Sequence, residues 1–482
     1  MPDQDVFPTY RGEMQYVCQG CGAVFSGQEL HYACPDCSAV FLLQDLRFAE
    51  LMQTSPEKWR QTFQTRAMST LPCLQGIFRF YELISPILEA EDILYLGEGQ
   101  TPVIWANQEL QRQVGQRFAF KNEGQNPSAS FKDRGMACAF SYLRYLVRKN
   151  DWSQVLTVCA STGDTSASAA MYAAYVGGAI KSVVLLPQGK VTPQQLGQPL
   201  GSGALVLELP GVFDDCMQVV QHLAEHYRVA LLNSKNSWRI LGQESYAFEL
   251  AQHFAWDLQG KAVFVPIGNA GNISAIMAGF LKLFRLGLIT ALPRIFGVQS
   301  EHADPVFKYY SQPGQDREYR PVRVKSSVAQ AAMIGNPVSF PRVQALAREY
   351  ERLAGRGAFQ VLQVQEQMIM DSMLMANSNG HIACTQGGEC LAGLRRAREL
   401  QLLDSQEEAV LNSTAHSLKF QGFQEMYFQD SFPAEYNVQP RRELINQPEP
   451  ILDQDQRQSL SSEEFISQAA KEIVDKLGLE MT

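Results

Sequence analysis

Asn126-Pro127-Ser128-Ala129-Ser130-Phe131-Lys132-Asp133-Arg134-Gly135-Met136 lies between two kinds of apolar periodicity. Before it, Arg117 to Lys121 alternates as a strand does; after it, Met136 to Val147 repeats its apolar residues at helical spacing. Lys132 therefore stands where a strand gives way to a helix. Backbone N–H groups at a helix start favour anions and disfavour an ammonium, so an amine there is placed to lose its proton and act as a nucleophile. A lone lysine in such a place is more often a solvated residue of a surface helix, and the weight of the reading comes from its neighbours. Small polar residues crowd it upstream, and Asp133 and Arg134 follow it into an otherwise apolar segment.

The 482-residue chain is long enough for more than one domain with large buried cores. Apolar residues make up 45% and charged ones 19%, a balance that argues against extensive disorder. A formal net charge of -9 without a long basic run disfavours nucleic acid and anionic membranes as partners. No apolar run is long enough to cross a bilayer, and Met1 to Asp5 is acidic where a signal peptide would be basic, so a cytoplasmic protein is expected. Cys73, Cys138, Cys159, Cys216, Cys384 and Cys390 are scattered among apolar neighbours and read as small buried residues of a reducing compartment.

The other four cysteines form a pattern. Cys18-Gln-Gly-Cys21 and Cys34-Pro-Asp-Cys37 are two Cys-x-x-Cys knuckles, and Gly20, Gly22 and Pro35 let each fold tightly enough to aim two thiolates at one point. Four converging sulfurs point to a structural zinc ribbon; a redox dithiol and a rubredoxin-type iron site are the competing readings. Such a closed site has no open coordination position and so no catalytic role. From Leu42 to Leu88 the helical spacing predicts a connector, and Leu96-Gly97-Glu98-Gly99-Gln100-Thr101-Pro102 then marks a turn.

Downstream, strands and helices alternate. Val155 to Cys159 reads as a buried strand that runs into Ala160-Ser161-Thr162-Gly163-Asp164-Thr165-Ser166, where hydroxyls and N–H groups at a helix start make an anion site. The same loop is also a plain capped helix start, with Ser161 or Thr162 as cap. Strands follow at Ser182 to Leu186, Ala204 to Leu209 and Ala262 to Pro266, with a helix over Asp214 to His226. The last of these strands leads into Gly268-Asn269-Ala270-Gly271-Asn272 and an apolar helix. That loop is neither a dinucleotide fingerprint nor a P-loop, yet its backbone suits a phosphate. Met368 to Met375 reads as a core helix, His381 as a packed or surface histidine, and Ala409 to Ser413 as a late strand ending at Thr414. Glu463 to Leu477 is amphipathic, suited to a docking helix. The alternation implies a mainly parallel sheet covered on both faces, with the anion loops at strand C-terminal ends.

Asn-Pro-x-x-Ser-Phe-Lys-Asp-Arg-Gly at 126–135 resembles the pyridoxal-phosphate lysine motif of the threonine synthases, members of the tryptophan-synthase-β-like group. Gly-Glu-Gly-x-Thr-Pro at 97–102, Ser-Thr-Gly-Asp-Thr at 161–165, the 268–272 loop and Ile334 to Val338 are similar to the same family. So is Thr414-Ala415-His416-Ser417-Leu418-Lys419, with Ala415 and Ser417 in place of glycines. The resemblance covers about Cys18 to Phe420 and includes the ribbon, which precedes the catalytic region in some members. Gly380 to Glu389 departs from the Glu-Pro-x-Ser-Ala stretch of many relatives. The implied architecture is α/β: two three-layer αβα domains of fold type II with the cofactor between them (91–425). A zinc ribbon (13–45) and a helical connector (46–90) precede them, and a C-terminal extension (426–482) follows.

The resemblance also implies roles. Lys132 would carry pyridoxal phosphate covalently, Asp164 would lie beside its ring hydroxyl, and Gly268, Asn269, Ala270, Gly271 and Asn272 would cradle its phosphate. Thr414 would face the pyridine nitrogen, where a neutral hydroxyl leaves the nitrogen less firmly protonated than a carboxylate would. Ser161, Thr162 and Thr165 are candidates for a substrate carboxylate. Lys121, Asn126, Ser130 and Arg134 are candidates for a substrate phosphate, with a structural salt bridge as the other reading of Arg134. The implied reaction turns O-phospho-L-homoserine and water into L-threonine and phosphate, by γ-elimination and β-addition of water, with Lys132 as the mobile base. Competing readings are cysteate synthesis from phosphoserine, threonine dehydration, and a non-catalytic protein whose ribbon and acidic tail bind a partner. A homodimer is the candidate assembly.

Overall fold

The computed structural model describes residues 7–159, 163–188, 193–210, 213–314 and 316–479. Its strands fall into three sheets. The first is a small antiparallel ribbon in which β1 (Met14–Cys18) is flanked by β2 (Val24–Ser26) and β3 (Phe41–Asp45). Leu42 and Leu43, expected to open a helical connector, belong to β3, where they pair with Val17 and Tyr16. The connector is helical over Phe48–Leu51 and Pro56–Arg66, and then tightens into short turns whose Ile77, Phe78, Phe80 and Tyr81 are wholly buried.

The larger sheet comprises β4 (Val103–Trp105), β5 (Phe118–Asn122), β10 (Lys261–Pro266), β11 (Arg294–Ser300), β12 (Phe359–Val364) and β13 (Glu408–Ser413). In space the order is β12-β11-β10-β13-β5-β4, with every pair parallel except the edge strand β4. The smaller sheet is wholly parallel: β8 (Leu205–Leu209), β7 (Ile180–Pro187), β6 (Val155–Cys159) and β9 (Val229–Leu231). Parallel pairing needs crossover connections, which is why helices separate these strands in sequence. Every residue of β5 is buried, as a strand covered on both faces requires.

The Lys132–Lys149 helix packs on two helices that follow strands of the smaller sheet, Asp164–Val176 and Ser237–Gln243. Met370, Met373 and Leu374 of the Glu366–Ser378 helix are core residues, as expected. The amphipathic segment near the C-terminus forms a helix over Ser462–Leu477, capped by Ser461 and Glu464. Lys476 pairs with Glu449 and the Arg457 guanidinium lies over the Phe465 ring, while Ile466 and Leu477 of its apolar face are exposed to solvent. No helix among the described residues is long and apolar enough to cross a membrane.

Candidate active site

The loops after β5, β10 and β13 leave the same end of the larger sheet, and the loop after β6 leaves the corresponding end of the smaller one. Open α/β folds place their ligands at such ends. Two backbone ties join the lysine loop to the end of β13: Phe131 N–H donates to Thr414 O at 2.9 Å and His416 N–H donates to Ala129 O at 3.0 Å. Lys132 and Thr414 are thus held together across nearly the full length of the catalytic sequence.

Lys132 is the first residue of its helix and is half-buried, its Nζ 4.2 Å from the Phe131 ring centre. Burial and the positive charge of Arg239 push its amine down to about 8, against the opposing pull of Asp164. Asp164 opens the Asp164–Val176 helix and is paired with Lys419, Oδ1 to Nζ 2.9 Å; Lys419 also donates to Ser128 O at 2.9 Å. Asp133, beside the lysine, accepts from Ser128 N and Ser128 Oγ, both at 2.6 Å, and from Ser168 Oγ. Burial nevertheless raises its carboxyl to about 6.

Gly268 to Asn272 runs from β10 into the Gly271–Arg285 helix, and Ala270 turns the chain with a left-handed φ of 62°. Asn269 O accepts from Ser339 N at 3.1 Å, which fixes the loop from behind. Thr165 is half-buried in the first turn after Asp164. Ser161 and Thr162, candidates for the carboxylate and for the helix cap, lie outside the described residues.

Two expected phosphate ligands are committed elsewhere. Arg134 is buried and bonded to both Glu123 oxygens (2.6 and 2.9 Å), both Glu249 oxygens (2.8 and 2.7 Å), Thr101 Oγ1 (2.9 Å) and Ser245 Oγ (3.0 Å). Lys121 donates to Glu249 at 2.9 Å and to Thr101 Oγ1 at 2.7 Å. Both charges are neutralised inside the fold, so the expected contact with a substrate phosphate gives way to a structural ion network. Asn126 is also engaged, donating to Glu123 O at 2.8 Å and accepting from Gly99 N at 2.9 Å. Ser130 Oγ is different: it is buried and finds no partner among the described residues.

Arg239 escaped the sequence reading. It lies on the Ser237–Gln243 helix, almost fully buried, with Nη1 donating to Leu232 O at 2.7 Å. Among the described residues its Nε has no partner and it makes no ion pair. The only signal was a polar run after a short strand. The departing segment 380–389 comes to rest beside Thr414. Cys384 caps the Thr385–Glu399 helix with its Sγ 3.7 Å from Thr414 Oγ1, and Thr385 and Gln386 bury polar atoms without a partner. His381 packs against Phe120 with ring centres 4.7 Å apart, as a core histidine.

The four Cys-x-x-Cys sulfurs converge: their Sγ atoms all lie within 4.8 Å of one another, with Cys18 to Cys37 at 3.3 Å and Cys21 to Cys34 at 3.7 Å. A tetrahedral metal with bonds of about 2.3 Å would set sulfur–sulfur edges of about 3.8 Å.

Fold and site together define a pyridoxal-phosphate-dependent enzyme, and residues 94–414, more than half of the chain, match the family described as pyridoxal-phosphate dependent enzymes. The residues fit that cofactor: a neutralisable amine at Lys132 and, in the loop after β10, an Asn272 Nδ2 that finds no partner among the described residues. The threonine synthase of Methanocaldococcus jannaschii is 35% identical over 345 residues, covering 71% of this chain and 80% of that protein. Threonine synthase 2, chloroplastic, of Arabidopsis thaliana is 33% identical over 380 residues, covering 77% and 70%. The chain belongs to the threonine synthase family. A crystal structure of threonine synthase from Escherichia coli superposes with a TM-score of 0.61 at 19% identity, covering 94% of each chain, and so shares the fold.

Proposed function

We infer that the chain converts O-phospho-L-homoserine and water to L-threonine and phosphate. Kinship with the threonine synthases supports the substrate. One observation carries the chemistry: Lys132, held against the Thr414 end of β13 by two backbone hydrogen bonds, has its amine lowered to about 8, so about a tenth is free base at pH 7, roughly 300-fold more than for an ordinary lysine. Pyridoxal phosphate, held by Lys132, Asp164, Thr414 and the 268–272 loop, supplies an electron sink for a carbanion at the substrate Cα.

The chain's residues do the rest. Lys132 Nζ takes the Cα proton. With a proton then lost from Cβ, phosphate leaves Cγ together with the C–O bonding electrons. A proton reaches Cγ, water delivers hydroxide to Cβ, and Lys132 returns a proton to Cα. We assign the substrate phosphate to Arg239 and Ser130, since Lys121 and Arg134 are already neutralised. Thr165, with Ser161 and Thr162, remains the candidate for the carboxylate. The four cysteines are assigned to a structural zinc, supported by their convergence. The free thiols of the six buried cysteines elsewhere fit a reducing cytoplasm.

The test is product analysis of the purified protein given O-phospho-L-homoserine, O-phospho-L-serine or L-threonine in turn. Threonine and phosphate are expected from the first. Faster phosphate release from phosphoserine, or 2-oxobutanoate from threonine without phosphate, would instead support one of the two competing lyase reactions. Lys132→Ala is expected to lower turnover by roughly 10³-fold or more while the fold persists.

A further inference from the structure

Arg342 sits in the Phe340–Ala354 helix, wholly buried, and makes no ion pair among the described residues. Its donors reach three separate parts of the chain. Nε donates to Phe41 O at 2.6 Å. Nη1 donates to Ser234 O at 2.7 Å and Ser339 Oγ at 2.9 Å, and Nη2 to Lys235 O at 2.9 Å and Ser237 Oγ at 3.2 Å.

Each of these acceptors leads somewhere functional. Phe41 opens β3 of the ribbon, and its cross-strand partner is Cys18, one of the four converging cysteines. Ser234 and Lys235 lie in the turn that launches the Arg239 helix, and Ser237 opens that helix. Ser339 N–H donates to Asn269 O of the Gly268–Asn272 loop, and Ser339 Oγ donates to Ser234 O at 3.2 Å. One guanidinium therefore spans the ribbon, the turn before Arg239 and the back of the loop assigned to the cofactor phosphate.

We propose that Arg342 is a positioning residue through which the grip on the cofactor phosphate depends on an intact, metal-loaded ribbon. A buried guanidinium has no water to fall back on, so losing the Phe41 carbonyl leaves an unsatisfied donor and the cluster must rearrange to satisfy it. The rearrangement draws on Ser339, whose N–H holds Asn269. Tyr16 and Phe41 join the main hydrophobic core, but the knuckles that carry the exposed Cys21 and Cys37 have little core of their own, so the geometry at Cys18, and through its pairing the Phe41 carbonyl, rests on the metal. The inference rests on the readings of the four cysteines as a metal site and of 268–272 as a phosphate cup.

The experiment follows the release of pyridoxal phosphate from holoenzyme into filtrate, with bound metal quantified in the same samples. Metal is removed in one arm with a thiol-directed mercurial and chelator, and in another by Cys37→Ser, which alters an exposed ligand. Metal loss is expected to speed cofactor release roughly tenfold in the wild-type protein. Metal-loaded Arg342→Gln is expected to release cofactor equally fast, with stripping adding less than a further twofold, while Arg342→Lys falls between. Unchanged release on metal loss in the wild type overturns the proposal, and so do effects of stripping and of Arg342→Gln that multiply as independent steps. Should Arg342→Gln fail to fold, Ser339→Ala takes its place in the cycle with the same expectations. Holoenzyme isolated without metal overturns the ribbon reading, and protein isolated without pyridoxal phosphate overturns the cup reading, each separately from the coupling.

Discussion

Burial lowers the Lys132 amine first, and two charges of opposite sign then adjust it. Arg239 pushes the amine towards the free base and Asp164 pulls it back. In cofactor-stripped protein, acylation of Lys132 followed by peptide mapping is expected to show a midpoint near 8; an ordinary lysine, at 10.5, would be only about 0.3% free base at pH 8. Arg239→Met moves the midpoint up and Asp164→Asn moves it down, and a wild-type midpoint near 10 refutes the arrangement. Stability follows the same shift. The folded state holds fewer protons than the unfolded chain between about 8 and 10.5, so the apo protein gains stability as pH rises through that window. The lysine was legible in the sequence because its neighbours are local. The fates of Lys121 and Arg134 were not, because Glu249 lies 128 and 115 positions away from them, and charge alone does not tell a ligand from half of an ion pair.

At the scale of elements, Arg239 reaches Lys132 because two helices cross with their backbones touching. An added Cβ on Gly135 would lie 2.9 Å from Arg239 O, and one on Gly242 would lie 2.6 Å from Cys138 Cβ and closer still to Arg134 O. Only backbone movement relieves such contacts, so Gly242→Ala is expected to cost about 1–3 kcal/mol in urea unfolding. It should also shift the Lys132 midpoint upward by moving Arg239 away. Strands with continuous apolar runs, such as β6, β10 and β13, were readable because burial on both faces leaves that mark. β4 and β9, each three residues long, are too short for any period to register. The glycines of the helix crossing were equally silent, since one glycine in a helical pattern gives no hint of what it approaches.

Across the whole molecule, Lys121 on β5, Arg134 on the lysine helix, Glu123 between them and Glu249 on the Ser245–His253 helix form a buried network in which two cations meet two anions. Thr101 of the entry turn joins it, so one cluster ties the larger sheet to the helices that carry Lys132. Burial alone would raise the Glu249 carboxyl, but Arg134 and Lys121 hold it well below its ordinary 4.5. Such a network adds little net stability over a well-packed apolar core, yet removing one member strands a charge. Glu249→Gln is therefore expected to cost about 3–5 kcal/mol in urea unfolding. Lys121→Met combined with it should cost less than the two single changes summed, by roughly 0.5–3 kcal/mol, because the stranded cation is removed with its partner. The pH dependence has a fixed sign. A carboxylate with a depressed folded value contributes its full stability above its ordinary 4.5 and loses it as pH falls below, so wild-type thermal stability should drop steeply on acidification. In Glu249→Gln that acid slope flattens, and an identical slope in both proteins would mean that Glu249 is not ionised in the fold and that Arg134 and Lys121 draw their neutrality from elsewhere.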